Sequence, residues 1–292
     1  MSIRRAAVVG LPFGWLLLFV LAPVIVVLAI SFAESRIGAP PFTPPLLWQD
    51  GALHFSITLD NYLRLFTDRL YADAFLSSIR IAAVSAFITL LIAYPMAYGI
   101  ARAGERARPS LLMLVVLPFW TSFLIRVYAW TGLLNSNGLI NKMLLNLGIV
   151  DHPLPLLHTE FAVHLGIVYS YLPFMVLPIY GVLERMDWTL LEAAADLGAR
   201  PLRSFFRVTL PLSMPGVIAG LLLVFIPALG EFIIPELLGG PDTLMVGRVL
   251  WTEFFSNHDW PFASALAVVM LIAVLLPAAL IYRVARRGEL AA

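Results

Sequence analysis

The stretch Glu192-Ala193-Ala194-Ala195-Asp196-Leu197-Gly198, answered downstream by Leu210-Pro211, is a polar, helix-forming island in a sequence that is 61% hydrophobic and 13% charged. Asp187 precedes it as a candidate cap. Trp188, Leu191 and Ala195 recur on one helical face while Glu192 and Asp196 share another, which predicts a short amphipathic helix with an acidic side. Gly198 suits a left-handed helix end and Pro201 the first turn of a following helix, so the segment 187–207 reads helix, sharp turn, helix. Leu202, Phe205 and Phe206 are expected to pack inward, with Arg200, Arg203 and Arg207 toward solvent or headgroups. Ala193 and Ala194 are small, as close approach by a partner surface requires. By periodicity alone the same segment also fits an ordinary amphipathic connector on a membrane surface.

Outward from this island, a mean hydropathy of +0.91 is too high for a domain surrounded by water, and the chain reads as a polytopic membrane protein. A bilayer core takes about 20 apolar residues per helix. Six stretches qualify: 7–32, 75–101, 111–134, 161–183, 209–235 and 262–282. The expected fold is therefore all-α, one domain over 1–292 with six crossings and the polar elbow on one side. The first stretch follows Arg4 and Arg5 but is longer than the roughly 7 to 15 residues of a signal-peptide core, so it reads as a retained anchor.

Basic residues in short loops stay on the cytoplasmic side. With the N-terminus inside, the inside segments carry Arg4, Arg5, Arg102, Arg106, Arg108, Arg185, Arg200, Arg203, Arg207, Arg283, Arg286 and Arg287. The outside segments keep Arg36, Arg64, Arg69, Lys142 and Arg248, while Arg80 and Arg126 fall within spans. Both termini are then cytoplasmic. The outside loops are rich in acid, including Asp50, Asp60, Glu160, Glu236, Asp242, Glu253 and Asp259, which suits a cationic solute.

Proline marks the spans from within and at their edges. Pro109 and Pro261 stand where first turns begin, and Pro95, Pro118, Pro173, Pro227 and Pro277 lie inside, where they are expected to kink helices and free carbonyls. Such prolines are also simply commoner in membrane helices. The first outside loop, 33–74, offers Asp60 as an N-cap for a short interfacial helix. Gly216 and Gly220 form a small-xxx-small pair suited to close helix packing.

Several chemistries are excluded. Without cysteine there is no disulfide, thiol nucleophile or thiolate metal site, and the 19 dispersed basic residues leave no nucleic-acid footprint. There is no H-E-x-x-H zinc motif and no serine in a G-x-S-x-G turn, which counts against an intramembrane enzyme. A secondary transporter is the nearer rival, since it too has broken helices and intramembrane acids, but inverted repeats are not found.

Read as E-A-A, three residues, G, nine residues and then Val208-Thr209-Leu210-Pro211, the elbow resembles the signature cytoplasmic loop of permease subunits of ATP-binding-cassette importers, with Val208 where isoleucine is usual. Two further stretches, 118–130 and 230–242, resemble the first permease subunit of bacterial putrescine and spermidine importers, the likeness to the putrescine system being the closer. The likeness is strong over 111–282 and general before it. It implies a type I importer permease fold in the bacterial inner membrane, a second homologous permease chain, two ATPase subunits and a periplasmic polyamine-binding protein. It also implies that Glu192, Ala193, Ala194, Asp196, Gly198, Pro201, Leu210 and Pro211 couple to the ATPase. The only lysine is Lys142, so no phosphate-binding G-x-x-x-x-G-K-[ST] loop exists here, and ATP with Mg is expected on the partner ATPase subunits. A permease for another small organic solute fits the elbow equally.

A diamine path calls for separated carboxylates with aromatic faces between them. Glu231, Glu236, Asp242, Trp251 and Glu253 supply that chemistry, Glu231 foremost because it lies between Pro227 and Pro235. At about 1.5 Å per residue from Leu210, Glu231 is expected near the outer rim. Arg126 is expected to snorkel at the outer interface, and Trp120, Tyr128 and Trp130 either form an aromatic belt in contact with lipid or line the path.

Overall fold

The structure, a computed structural model, describes residues 3–44, 46–49, 52–241 and 243–289. In chain order the helices are α1 (Ile3–Ser31), α2 (Asp60–Thr67), α3 (Arg69–Arg102), α4 (Arg108–Val116), α5 (Phe123–Leu134), α6 (Leu139–Asn146), α7 (Glu160–Leu183), α8 (Thr189–Asp196), α9 (Pro201–Ser204), α10 (Leu210–Leu229), α11 (Ile233–Leu238), α12 (Val246–Trp251) and α13 (Trp260–Glu289). The first loop adds two antiparallel pairs, β1 (Glu34–Ser35) with β2 (Phe42–Thr43) and β3 (Leu46–Gln49) with β4 (Ala52–Phe55). All-α thus describes the apolar stretches, and the loop departs from it. The Asp50-Gly51 pair between β3 and β4, itself outside the described residues, is the sequence signal for a hairpin there. Asp60 opens α2 rather than capping it, and its amide donates to Thr58 Oγ1 at 3.1 Å.

Among the described residues, four runs are long and apolar enough to cross a bilayer: 10–31 within α1, α3, α7, and the 29-residue run 201–229. That last run joins α9 to α10 through a π-helical turn at Phe205–Thr209. A further apolar pair, Arg108–Trp120 and Phe123–Asn146, bends by 86° at its break. The third predicted span is therefore not one straight helix. Pro118 sits in a 3-10 turn after α4, and Thr121 and Ser122 follow in extended conformation with ψ of 151° and 136°. Pro95, Pro173 and Pro227, by contrast, stay inside continuous helices. The fifth predicted span also stops early, at Leu229, and the chain resumes as α11. α13, 30 residues long, carries the sixth apolar stretch.

Packing divides the chain into two units, Met1–Asp73 with Val249–Ala292, and Ala74–Arg248. In the first, α1 and α2 pack on α13. Asn61 Nδ2 donates to the carbonyls of Ser31 at 3.0 Å and Ala33 at 2.9 Å, satisfying groups that the end of α1 leaves open. In the second unit α10 packs along α7. A Cβ on Gly216 would lie 2.7 Å from the Pro178 carbonyl, and one on Gly220 would lie 2.7 Å from Met175 Sδ, so both glycines set the helix spacing. The core around this contact includes Ala93, Ala97, Met175, Ile179, Leu183 and Val224. Small residues matter here because lipid tails are as apolar as leucine, and close van der Waals contact is what holds membrane helices together.

Candidate functional site

The elbow is built from its first residue upward. Asp187 Oδ1 accepts from the Thr189 hydroxyl at 2.8 Å and the Thr189 amide at 3.0 Å, which starts α8 and holds the Asp187 carboxyl below the usual carboxylate range. α8 presents Glu192, Ala193, Ala194 and Asp196. It closes where the amides of Leu197, Gly198 and Ala199 return to the carbonyls of Ala193, Ala195 and Ala194, with Gly198 at φ +79°. Pro201 then opens α9, and Leu210 and Pro211 begin α10.

Beneath α8, Trp188 meets Tyr98 edge to face at 5.8 Å, and the Arg102 guanidinium lies 5.1 Å from the Trp188 ring centroid. A cavity of about 380 Å³ opens there, lined by Arg102, Trp188, Glu192, Pro201 and Phe205 among others. One expectation is corrected. Leu202 and Phe206 do not pack inward; they are 74% and 60% exposed, beside Leu197 at 88%. The buried residues of this stretch are Ser204, Thr209 and Ser213. Phe205 does pack inward, edge to face with Tyr94 at 5.4 Å, while small side chains fill the rest of the close-packed side and leave Leu202 and Phe206 for lipid or a partner.

The second site lies where the two interrupted helices break. At the bend after α4, the Pro118 carbonyl accepts from Arg126 Nη1 at 2.5 Å and from Thr121 Oγ1 at 2.8 Å, and Arg126 also reaches the Thr121 carbonyl at 3.3 Å. The guanidinium lies 4.7 Å from the Phe119 ring centroid and 5.9 Å from that of Phe123. Arg126 is only 9% exposed, so it does not snorkel; it satisfies the carbonyls that the bend frees.

At the end of α10, Glu231 is 7% exposed. Its Oε2 accepts from the Tyr171 hydroxyl at 2.5 Å, and its Oε1 accepts from the amides of Phe232 and Ile233 at 3.2 and 3.0 Å. Three donors around one carboxylate are what make its burial tolerable. Tyr171 lies halfway along α7, and its hydroxyl ties the carboxylate to that helix. α10 runs unbroken to Leu229, and Glu231 stands two residues beyond its end. Glu231, Arg126, Ser170, Tyr171, Phe119 and Phe174 face one cavity of about 560 Å³.

The other candidate path residues do not converge on that cavity. Glu236 is exposed and pairs with Arg248 at 2.5 Å. Glu253, in the first unit, is buried, accepting from Tyr71 at 3.0 Å and Asn257 at 2.9 Å, with Arg64 at 3.9 Å. Arg64 in turn pairs with Asp259 at 3.1 Å and lies 4.3 Å from the Phe262 ring centroid, so Glu253 is committed within its own unit. Trp251, 42% exposed, tilts against Phe255 at 4.1 Å. Trp120 and Tyr128 are 74% and 58% exposed and line no part of the cavity, as a belt in contact with lipid requires. Asp242 lies outside the described residues. Sequence reasoning missed Ser170 and Tyr171. Their signal was a polar pair in the middle of an apolar span.

A multi-pass membrane chain with broken helices and a polar elbow between its fourth and fifth apolar stretches has the form of a transport permease component. The family model described as binding-protein-dependent transport system inner membrane component matches residues 52–288, and this chain belongs to that family. It is 44% identical over 277 residues to the spermidine/putrescine transport system permease protein PotB of Haemophilus influenzae, covering 94% of this chain and 92% of that protein. It is 40% identical over 275 residues to PotB of Escherichia coli, covering 94% of each. The inner membrane ABC transporter permease protein YdcU of Escherichia coli is 34% identical, with 78% of this chain covered and 76% of that one.

Among solved structures, a bacterial ABC transporter involved in the import of the acidic polysaccharide alginate superposes with a TM-score of 0.71 at 17% identity, covering 98% of this chain and 97% of that one. A second crystal structure, of the alginate transporter in complex with alginate pentasaccharide-bound periplasmic protein, superposes at 0.67 with 19% identity and 94% of each chain covered. The chain is thus a multi-pass inner-membrane permease subunit with the type I importer fold, a transport component and not an enzyme.

Proposed function

We propose that this chain forms one half of the translocation pathway of an ATP-driven importer of polyamines, putrescine or spermidine. The observation that carries the reading is Glu231, a carboxylate held by Tyr171 beside the ring faces of Phe119 and Phe174. That is the chemistry an alkylammonium needs: a fixed anion and apolar, cation-attracting walls, each ring contact contributing roughly 0.5 to 2 kcal/mol. Relatives covering 94% of the chain that are named for spermidine and putrescine transport support the same solute class.

In this reading a second, homologous permease chain completes the pathway, a periplasmic polyamine-binding protein delivers solute, and two ATPase subunits dock on the cytoplasmic elbow. Glu192, Ala193, Ala194, Asp196, Gly198 and Pro201 form the docking surface, with Leu210 and Pro211 passing its movement into α10. The exposed Leu197 and Leu202 give that surface apolar anchors. ATP and Mg are held by the ATPase partners, and both termini of this chain lie in the cytoplasm. To move an inward-facing to outward-facing ratio from 1:99 to 99:1, the nucleotide-bound ATPase must favour one state by about 5.5 kcal/mol.

The test is uptake by the reconstituted complex in liposomes with its binding protein. Labelled diamine or triamine is expected to accumulate only with ATP, and a labelled amino acid is not. Accumulation of the amino acid in place of the amines would overturn the solute class; amine accumulation without ATP would favour a secondary transporter.

A further inference from the structure

We infer that Trp188 is a strut tying the elbow to α3, with Arg102 as its positioning residue, so that movement of a docked ATPase enters the membrane through α3 as well as through α10. This rests on the coupling reading above, in which an ATPase docks on the elbow, and adds a second path for the same movement.

Along the chain, α8 leads through α9 and the π-helical turn into α10, and it packs on both of those intermediates. α3 has no such covalent link to α8, because α4 to α7 intervene in sequence. Between the two lies the cavity of about 380 Å³, with Tyr98 and Arg102 of α3 and Trp188, Leu191 and Glu192 of the elbow among its walls. Across an open gap there is no van der Waals contact to carry a push. Trp188 closes that gap on one side. Its ring meets Tyr98 edge to face at 5.8 Å and lies with its centroid 5.1 Å from the Arg102 guanidinium. Tyr98 and Arg102 stand one helical turn apart, so both contacts come from a single face of α3.

Both ends of the strut are fixed. The Trp188 backbone stands between Asp187 and Thr189, which are joined by hydrogen bonds of 2.8 and 3.0 Å, and its carbonyl accepts from the Leu191 amide at 3.0 Å. At the other end, Tyr98 packs against the core that joins α3 to α7 and α10. Arg102 is exposed, and among the described residues its side chain makes no ion pair or hydrogen bond, so the indole is what orients it. An edge-to-face pair alone lets the indole slide over the phenol. A cation drawn to the indole face by the ring quadrupole favours one position. A contact that only stabilised α8 would, when lost, release the ATPase. Loss of a strut leaves the ATPase bound and lets hydrolysis run without transport.

The experiment measures ATP hydrolysed per labelled diamine imported by the reconstituted complex with its binding protein in liposomes. Trp188→Leu is expected to raise that ratio about tenfold, with co-purification of the ATPase at the wild-type level. Arg102→Gln is expected to raise it about two- to fivefold, as loss of an exposed cation–π contact implies, and Arg102→Lys, which retains the cation, to stay near wild type. In the Trp188→Leu background Arg102→Gln is expected to add nothing, since its partner is gone. The inference is overturned if neither single variant changes the ratio, if the ATPase is lost in step with uptake in both, or if the two effects multiply in the double variant. Diamine accumulation by wild type without ATP would sink the coupling reading itself; a coupled wild type whose variants are equally well coupled would sink the strut alone.

Discussion

Gly198 and Gly216 are both glycines for a reason, and the reasons differ. A Cβ on Gly198 would meet nothing within 4 Å, so only its φ of +79° demands glycine. Gly198→Val is therefore expected to strain the end of α8 by roughly 1 to 2 kcal/mol, while Gly198→Asn, which tolerates the left-handed region, retains most ATPase association. Co-purification of the ATPase with each variant measures this, and equal loss with both would refute a conformational cause. At Gly216 the obstacle is backbone, the Pro178 carbonyl and Ile179 Cα, which cannot swing aside. Gly216→Leu is expected to force α10 from α7 at a cost of about 1 to 3 kcal/mol or more, seen as a lower unfolding temperature by detergent size exclusion. Gly181, also in α7 but with open space around its Cβ position, should accept alanine without loss.

The helix α8 depends on its cap. Because the Thr189 hydroxyl and amide depress the Asp187 acidity, that carboxylate stabilises the helix fully above its unfolded value of about 4 and loses its effect as pH falls through the lower folded value. The protection of α8 amides against hydrogen exchange, taken relative to the intrinsic rate at each pH, should fall across that acid window in the wild type. Asp187→Asn, which keeps an acceptor oxygen and cannot titrate, should flatten the dependence. An unchanged pH profile in the variant would show that the cap is not its source. The bend of the third span is the converse case, an element defined by interruption. Pro118 ends one helix, and Arg126, from the next, satisfies the carbonyls it frees.

For the chain as an assembly of crossings, the absence of cysteine is an experimental advantage. Single cysteines at Arg203, on the elbow, and Lys142, at α6, are both exposed and can be labelled one at a time. A membrane-impermeant maleimide applied to intact cells stripped of their outer membrane should label Lys142→Cys at once and Arg203→Cys only after lysis. The reverse pattern would invert the orientation argued from basic residues, and with it the docking of an ATPase on the elbow.

Much of this architecture was legible beforehand because it depends on local rules. Apolar length located the long apolar helices, and Gly198 and Pro201 marked the turn of the elbow, since φ preference and a missing N–H act on the residue that carries them. Pro118 was visible as one proline among five within spans, and nothing in its own letters said that it alone would coincide with a break. Leu202 and Phe206 face outward against expectation because in a membrane hydrophobicity does not say which side is buried. Glu231 was legible as a candidate, and Tyr171 was passed over, since a carboxylate and a phenol 60 residues apart in sequence meet only when α7 and the end of α10 are brought together. Composition settled that the chain crosses a membrane, and local patterning that it carries a helix–turn–helix elbow, because each follows from neighbours along the chain. Where its buried charges lie, and which of them are already committed to partners, was settled by helix packing, because hydrogen bonds and desolvation depend on distance in space.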